Sequence, residues 1–335
     1  MTAPEIPTFP EPAQPAISPH IDLVEAHLEE CGRRIGLANT PEGRRRLAAR
    51  YGELVCWTFP YAAVGDLCAC ARWLFLTFIL DDVHTSGEYD SPDAWEALRG
   101  RVNQVVRTGT VGAETSPLML EFAELAVHTR AQVSDEFYRR LLGHLDLFFR
   151  GFTEESRNRA VGLVPDLDSF IELRRASVGM EFGFDLMELG RRHEIPPELY
   201  ANPRYRRLVA AATDVVAWQN DLHSLPVDVE RDDPHNLVLV LEAAHGFTRR
   251  AARDVAAERI RARIAEFTAE EEQLIATLDE LGASPTDRHA LAQSAADMRQ
   301  WANGCLKWYE TTTRYVPPSE LDVVDEHAYL RALIV

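Results

Sequence analysis

Trp73-Leu-Phe-Leu-Thr-Phe-Ile-Leu80-Asp81-Asp82 decides the reading of this chain. It closes a longer stretch, Ala62 to Val83, that is apolar on most faces. A segment of that length without polar alternation is a core helix, not a half-buried strand. Two adjacent carboxylates at its end are costly to bury unless positive charge lies against them. Their repulsion also disfavours ionising both. A divalent cation removes both problems, because Mg²⁺ prefers carboxylate oxygens and keeps its other positions for water or phosphate. Glu88 and Asp90 follow closely. Asp81 and Glu88 would share a face if the helix ran on past Gly87. Taken alone, the acidic pair fits an ordinary helix end at the surface equally well.

A second polar cluster reads Trp218-Gln-Asn-Asp-Leu-His-Ser-Leu-Pro-Val-Asp-Val-Glu230. Asn220, Ser224 and Asp228 are spaced i, i+4, i+8 and fan over an arc of roughly 80° on a helix. Amide, hydroxyl and carboxylate are hard oxygen donors suited to Mg²⁺. A solvent-facing polar stripe is the plainer reading, but the triplet follows the apolar run Leu208 to Trp218. Pro226 lacks the N–H of a continuing helix, so a kink is expected there. Glu230 points about 160° from Asp228 on a regular helix. A break at Pro226 would make it a substitute ligand.

Outward from these clusters the chain reads as helices. Ile21 to Ile35, Gly43 to Trp57, Phe137 to Phe152, Leu167 to Leu189, Tyr205 to Leu222, Phe247 to Leu281 and Asp287 to Tyr309 are periodic segments punctuated by Pro, Gly, Asp and Ser. Strand pairs with tight turns, Gly-rich phosphate loops and repeats are missing. The expectation is one all-α domain of about ten to twelve helices, spanning residues 20–316. Residues 1–19 read as a Pro-rich arm, expected to be flexible, and 317–335 as a C-terminal tail.

Composition narrows the function. Hydrophobic residues make up 46% of the 335 and charged residues 26%, ordinary globular values. Acids outnumber bases 53 to 35, for a net charge of −18. Nucleic acid is therefore not expected as a partner, nor stable membrane insertion. A phosphorylated substrate is still possible through bridging cations. The five cysteines (Cys31, Cys56, Cys68, Cys70 and Cys305) read as reduced buried thiols of a cytoplasmic protein. His84, His223 and His235 flank the clusters but form no spaced ligand set with them.

Together the two clusters resemble the bacterial class I terpene synthase family. Asp81-Asp82 matches its Asp-rich motif. Asn220, Asp221 and Ser224 match its second motif, N-D-x-x-S-x-x-x-E, 139 positions downstream (220 minus 81). Leu173-Arg-Arg-Ala-Ser-Val-Gly179 is similar to the family's diphosphate-sensor segment. Arg174, 46 positions before Asn220, matches the sensor better than Arg175. Arg314-Tyr315 resembles its diphosphate-binding pair, and Trp308 stands where such enzymes often carry a cavity aromatic. The run Arg231-Asp-Asp-Pro-His-Asn-Leu-Val238 is also similar.

The chain departs from the pattern in three places. The third acid of the first motif comes sooner in the family than Glu88 does. Asp228 stands where Glu is usual, and Val227 where Lys often touches diphosphate.

The resemblance implies a class I terpenoid synthase-type helical bundle surrounding a central apolar cavity. It implies Mg²⁺, as three ions for which Mn²⁺ can substitute, held by Asp81, Asp82, Asn220, Ser224 and Asp228, with Glu88 or Glu230 as further candidates. Arg174, Arg314 and Tyr315 would bind the diphosphate; forked guanidinium donors match phosphate geometry. A helix break at Val178–Gly179, aided by Gly183, would expose a backbone carbonyl that helps ionisation. Aromatic faces attract positive charge, so Phe78, Phe75 and Trp308, with Phe182, Trp218 and Trp301 behind them, are the cavity candidates.

The expected activity is that of a carbon–oxygen lyase, cyclising farnesyl diphosphate to a sesquiterpene; a homodimer is the assembly common in similar proteins. Alternatives are a diterpene cyclase using geranylgeranyl diphosphate, a chain-elongating prenyltransferase, which should carry two Asp-rich motifs, and a non-enzymatic acidic scaffold.

Overall fold

The computed structural model describes residues 5–12, 14–85, 89, 91–112, 115–280, 283–320, 330 and 333. Among these it contains fourteen α-helices, short 3₁₀ turns and no strand. That is somewhat more helices than the periodicity predicts. The segment Gly43 to Trp57 divides into α2 (Pro41–Leu47) and α3 (Tyr51–Thr58), separated by Arg50 at φ 60°. Leu167 to Leu189 likewise divides into α8 (Leu167–Ser177) and α9 (Met180–Arg191).

The centre is α4 (Val64–His84), whose Leu67, Cys70, Ala71, Trp73, Leu76 and Leu80 are completely buried. It is apolar all round because other helices meet it on every side: α1 (Ile21–Arg34), α3, α6 (Pro117–Arg130), α7 (Asp135–Val161) and α9. Trp73 illustrates the packing. Its ring meets Phe182 edge-on at 5.7 Å and its N–H donates to Thr129 Oγ1 at 2.9 Å, so its one polar atom is satisfied inside the core.

Opposite α4 lies α11 (Pro203–Glu230), flanked by α8, α9, α12 (Leu237–His245), α13 (Arg249–Glu280) and α14 (Pro285–Tyr309). Contrary to the sequence expectation, α11 does not end or open at Pro226; its helical assignment runs on to Glu230. Pro226 cannot donate to the Leu222 carbonyl. One residue earlier, the Asn236 side-chain amide donates to the Asp221 carbonyl at 2.7 Å and steadies this turn from outside.

The N-terminal arm differs from expectation as well. Phe9 is 1% exposed and packs edge-on against Phe267 at 5.0 Å. Asn303 accepts from Phe9 N–H (3.1 Å) and donates to the Phe9 and Pro12 carbonyls. Gln300 brackets Ala16 in the same way. A Pro-rich segment has little backbone entropy to lose, and these two amides satisfy its polar atoms. The five cysteines are all free thiols. No helix among the described residues is long and apolar enough to cross a membrane. Of the expected tail, 317–335, residues 321–329 lie outside the described residues, and Leu330 and Leu333 are buried.

Candidate active site

Asp81 and Asp82 end α4 in the last turn before Thr85. The Asp81 carbonyl is held by His84 Nδ1 at 2.6 Å. The His84 ring reaches Glu155 through Nε2 at 3.2 Å and stacks on Phe152 at 3.9 Å. His84 is thus a buried support for the helix end. Both carboxylates carry guanidinium. Arg314 forks onto Asp81 and onto Asp82, the latter at 3.1 Å, and Arg46 approaches Asp82 at 3.2 Å. Burial alone would lower the Arg314 pKa, but Asp82, Tyr51 and Asp81 raise it well above its ordinary value. The same guanidinium lies 4.7 Å above the Phe78 ring.

Across the hollow, Asn220 is engaged on both sides of its amide. Its oxygen accepts from Arg174 at 2.8 Å, and its NH₂ donates to Tyr309 OH (3.1 Å) and Tyr315 OH (2.9 Å). Arg174 also donates to Asp221 at 2.9 Å. Asp221 is 1% exposed and faces inward, where it accepts from Leu237 N–H at 3.0 Å. Its place is to orient Arg174. Ser224 donates to Asp228 at 2.6 Å, and Asn236 donates to the same carboxylate oxygen at 2.8 Å. Burial pushes Asp228 up to about 7, against the pull of those two hydrogen bonds. A carboxylate so placed gains strongly from a nearby cation.

The expected residues therefore converge in part. Asp81, Asp82, Asn220, Ser224, Asp228, Arg174, Arg314 and Tyr315 border one hollow of about 120 Å³. A second hollow of about 140 Å³ continues inward and shares Asp81, Arg174, Asn220 and Tyr315 with the first. Among the described residues no three His, Cys, Asp or Glu side chains gather on one point. The donors instead form two incomplete hard-oxygen sets on facing helices. That chemistry fits divalent ions whose remaining positions are filled by the oxygens of a bridging ligand.

Three expectations fail. Glu230 lies outside the mouth and accepts from Ser319 Oγ at 2.9 Å; the unbroken helix turns it away from Asp228. Arg175 forks onto Asp214 at 2.7 and 2.8 Å, a carboxylate it shares with Arg263. Phe75 packs against Tyr51 at 5.7 Å and is not among the residues lining the hollow, although it lies one turn from Phe78 on α4. Glu88 lies outside the described residues.

Phe78, Val178, Gly179 and Trp308 do line the inner hollow, as do Phe182 and Trp301, whereas Trp218 does not. The break falls at Gly179, whose φ is +70° and whose missing Cβ would meet the Phe148 ring at 2.9 Å. Gly183 is not part of the break. It lies within α9, where a Cβ would stand 3.0 Å from Trp301.

Sequence reasoning missed Tyr309, Phe148, Asn236 and Arg46. Tyr309 stacks on His223 at 4.3 Å, and burial pushes that histidine down to about 4. A roomier surface hollow, about 440 Å³, opens at the start of α7 beside Arg139, Pro196 and Tyr200; it shares no residue with the mouth.

An all-helical shell closing on a hollow of this kind is the architecture of class I terpenoid synthases. Solved structures agree. A crystal structure of α-eudesmol synthase superposes with a TM-score of 0.80 at 23% identity, over 93% of this chain and 99% of the other. The germacradien-4-ol synthase of Streptomyces citricolor gives 0.80 at 24% identity, over 91% and 99%.

By sequence, the chain is similar to the 7-epi-alpha-eudesmol synthase of Streptomyces viridochromogenes, with 26% identity across 93% of this chain and 92% of the relative. It is also similar to the (−)-delta-cadinene synthase of Streptomyces clavuligerus, with 28% identity across 86% of each. Residues 72–266, more than half of the chain, match the family model described as terpene synthase family 2, C-terminal metal binding, and the chain belongs to that family. It is accordingly a lyase that uses divalent metal and a prenyl diphosphate.

Proposed function

We propose that this protein is a Mg²⁺-dependent sesquiterpene cyclase that ionises farnesyl diphosphate and guides the cation into rings. The observation that carries the proposal is that Asp81 and Asn220, 139 positions apart in sequence, border the same hollow above an aromatic-lined cavity. The curated relatives support the substrate, since one carries farnesyl diphosphate cyclisation in its name.

Bound Mg²⁺, proposed as three ions for which Mn²⁺ can substitute, would supply Lewis acidity to the departing diphosphate. Asp81 and Asp82 on one wall, and Asn220, Ser224 and Asp228 on the other, are its proposed ligands. Arg174 and Arg314 offer forked donors to the leaving group, and Tyr315 offers its hydroxyl. All three now rest on ligand residues, so they are already aimed at the place where negative charge develops. Phe78 and Trp308 present ring surfaces below the mouth, where a carbocation is stabilised and kept from water. The Arg314 guanidinium, 4.7 Å above the Phe78 ring, supports this use of the ring face. Val178, preceding the left-handed Gly179, sits at the cavity wall beside Ser177; its carbonyl is the proposed backbone aid to ionisation. The free thiols agree with a cytoplasmic setting.

The deciding experiment is gas chromatography of products from geranyl, farnesyl and geranylgeranyl diphosphates, with Mg²⁺ and then with chelator. Metal-dependent cyclic C15 hydrocarbon or alcohol from farnesyl diphosphate alone is the expected result. A requirement for isopentenyl diphosphate would make it a chain-elongating enzyme instead. No turnover of any prenyl diphosphate would refute the assignment.

A further inference from the structure

Three consecutive arginines, Arg44, Arg45 and Arg46, lie on α2, before the first acidic motif and outside the family-model match. They do not behave alike. Arg44 turns away and donates to the Ala38 carbonyl at 2.7 Å. Arg46 turns inward, is only 12% exposed, and meets Asp82 at 3.2 Å. The helix that aims it is fixed in place. Thr40 caps it through Gly43 N–H at 3.0 Å, and Gly43 is pressed so close to the preceding turn that a Cβ would overlap the Leu37 carbonyl. Asp82 therefore holds two guanidiniums, Arg46 on one oxygen and Arg314 on the other. Opposite them the mouth is lined by Val227, which offers no charge.

We propose that Arg46 is a third diphosphate-binding arginine beside Arg174 and Arg314, parked on Asp82 until the site fills. The inference rests on the cyclase reading above. A divalent ion held by Asp82 would bring like charge beside Arg46 and weaken the attraction between the two side chains. Its planar fork then turns to the nearest anion, and phosphate oxygens fit that fork in pairs. The chain thereby supplies from α2 the positive charge that position 227 lacks. Arg46 also borders the C-terminal turn through Thr313, Arg314 and Val316, so it and Arg314 can move to the same ligand together.

The test is calorimetric binding of inorganic pyrophosphate in the presence of Mg²⁺ to the wild type, Arg46→Ala and Arg46→Lys, with thermal unfolding of each measured alongside. Losing one forked, charge-assisted contact should weaken pyrophosphate binding by roughly ten- to a hundredfold in Arg46→Ala. Arg46→Lys restores the charge beside Asp82 but not the fork. It should recover the unfolding midpoint and only part of the affinity, and it carries the test if the alanine variant does not fold. Equal pyrophosphate affinity in wild type and both variants would overturn the role of Arg46 and leave the cyclase reading standing. Failure of the wild type to bind pyrophosphate with Mg²⁺ would instead bring down the cyclase reading and this inference with it.

Discussion

Replacing Arg174 by Met should separate what that residue does for folding from what it does for chemistry. Its guanidinium donates to Asp221 at 2.9 Å and to Asn220 at 2.8 Å, and its side chain is 13% exposed. Burial alone would lower its pKa, but Asp221 and Glu155 hold it raised, so the guanidinium stays charged, while burial pushes the Asp221 carboxyl up against the pull of Arg174. Without it, Asp221 keeps only the Leu237 N–H among the donors identified here.

Removing one partner of a buried pair costs about 3–5 kcal/mol. A chain of 335 residues unfolds with an entropy near 0.7 kcal/mol/K at its midpoint. The midpoint should therefore fall by roughly 4–7 °C. Adding Asp221→Asn removes the orphaned charge and keeps an acceptor for Leu237 N–H, so most of the lost stability should return. Cyclisation should not return, because no fork then faces the diphosphate. The assays are differential scanning fluorimetry and product chromatography on the wild type, the single variant and the double variant. The reasoning is refuted if Arg174→Met unfolds like wild type, or if the double variant regains both stability and activity.

Other substitutions read other parts of the molecule. Gly179→Ala forces a side chain into a left-handed conformation and against the Phe148 ring. Strain alone costs about 1–2 kcal/mol, and turnover should fall more steeply than the unfolding midpoint suggests; unchanged kinetics would dismiss the break as a working part. Gly183→Ala adds a methyl 3.0 Å from Trp301 at the cavity wall, so the product ratio should shift while pyrophosphate binding stays constant.

Stability should also depend on pH through His144. His144 would be lowered by burial, but Asp185 (2.6 Å) and Glu181 (3.0 Å) hold it up at about 9. Its contribution is fully present below pH 6.5, the value for an unfolded histidine, and is lost as pH rises through 9. The rise is worth about 3 kcal/mol. Melting curves between pH 6 and 9.5 should show that loss in the wild type and a flatter profile in His144→Gln; parallel profiles would remove the ion pair from the account.

The two metal-ligand clusters were legible because each is local, whereas the diphosphate residues were reached through the family resemblance. Asn220, Ser224 and Asp228 share one helix, and helical spacing alone puts them on one side. The family resemblance favoured Arg174 over Arg175, and the structure gives the physical difference: one turns to Asn220, the other to Asp214. What stayed hidden depends on partners far away in the chain. Pro226 reads as a breaker, yet α11 continues because tertiary packing and Asn236 outweigh one missing hydrogen bond. Phe78 could be preferred to Phe75 because it stands one turn before Asp81, but the rings of α3 and α14 that pack against it could not be read from the sequence. Arg46 belongs to the unremarkable basic segment Pro41–Leu47, whose direction is set by a single crowded glycine.

The anchored arm has a consequence for where this enzyme can be cut. Gln219 donates to the Pro7 carbonyl at 2.8 Å, and the next residue on α11 is Asn220. The segment around Pro7 thus braces the wall that carries the proposed ligands, 212 positions downstream. A border drawn at residue 20 would uncover Phe267 and detach that brace.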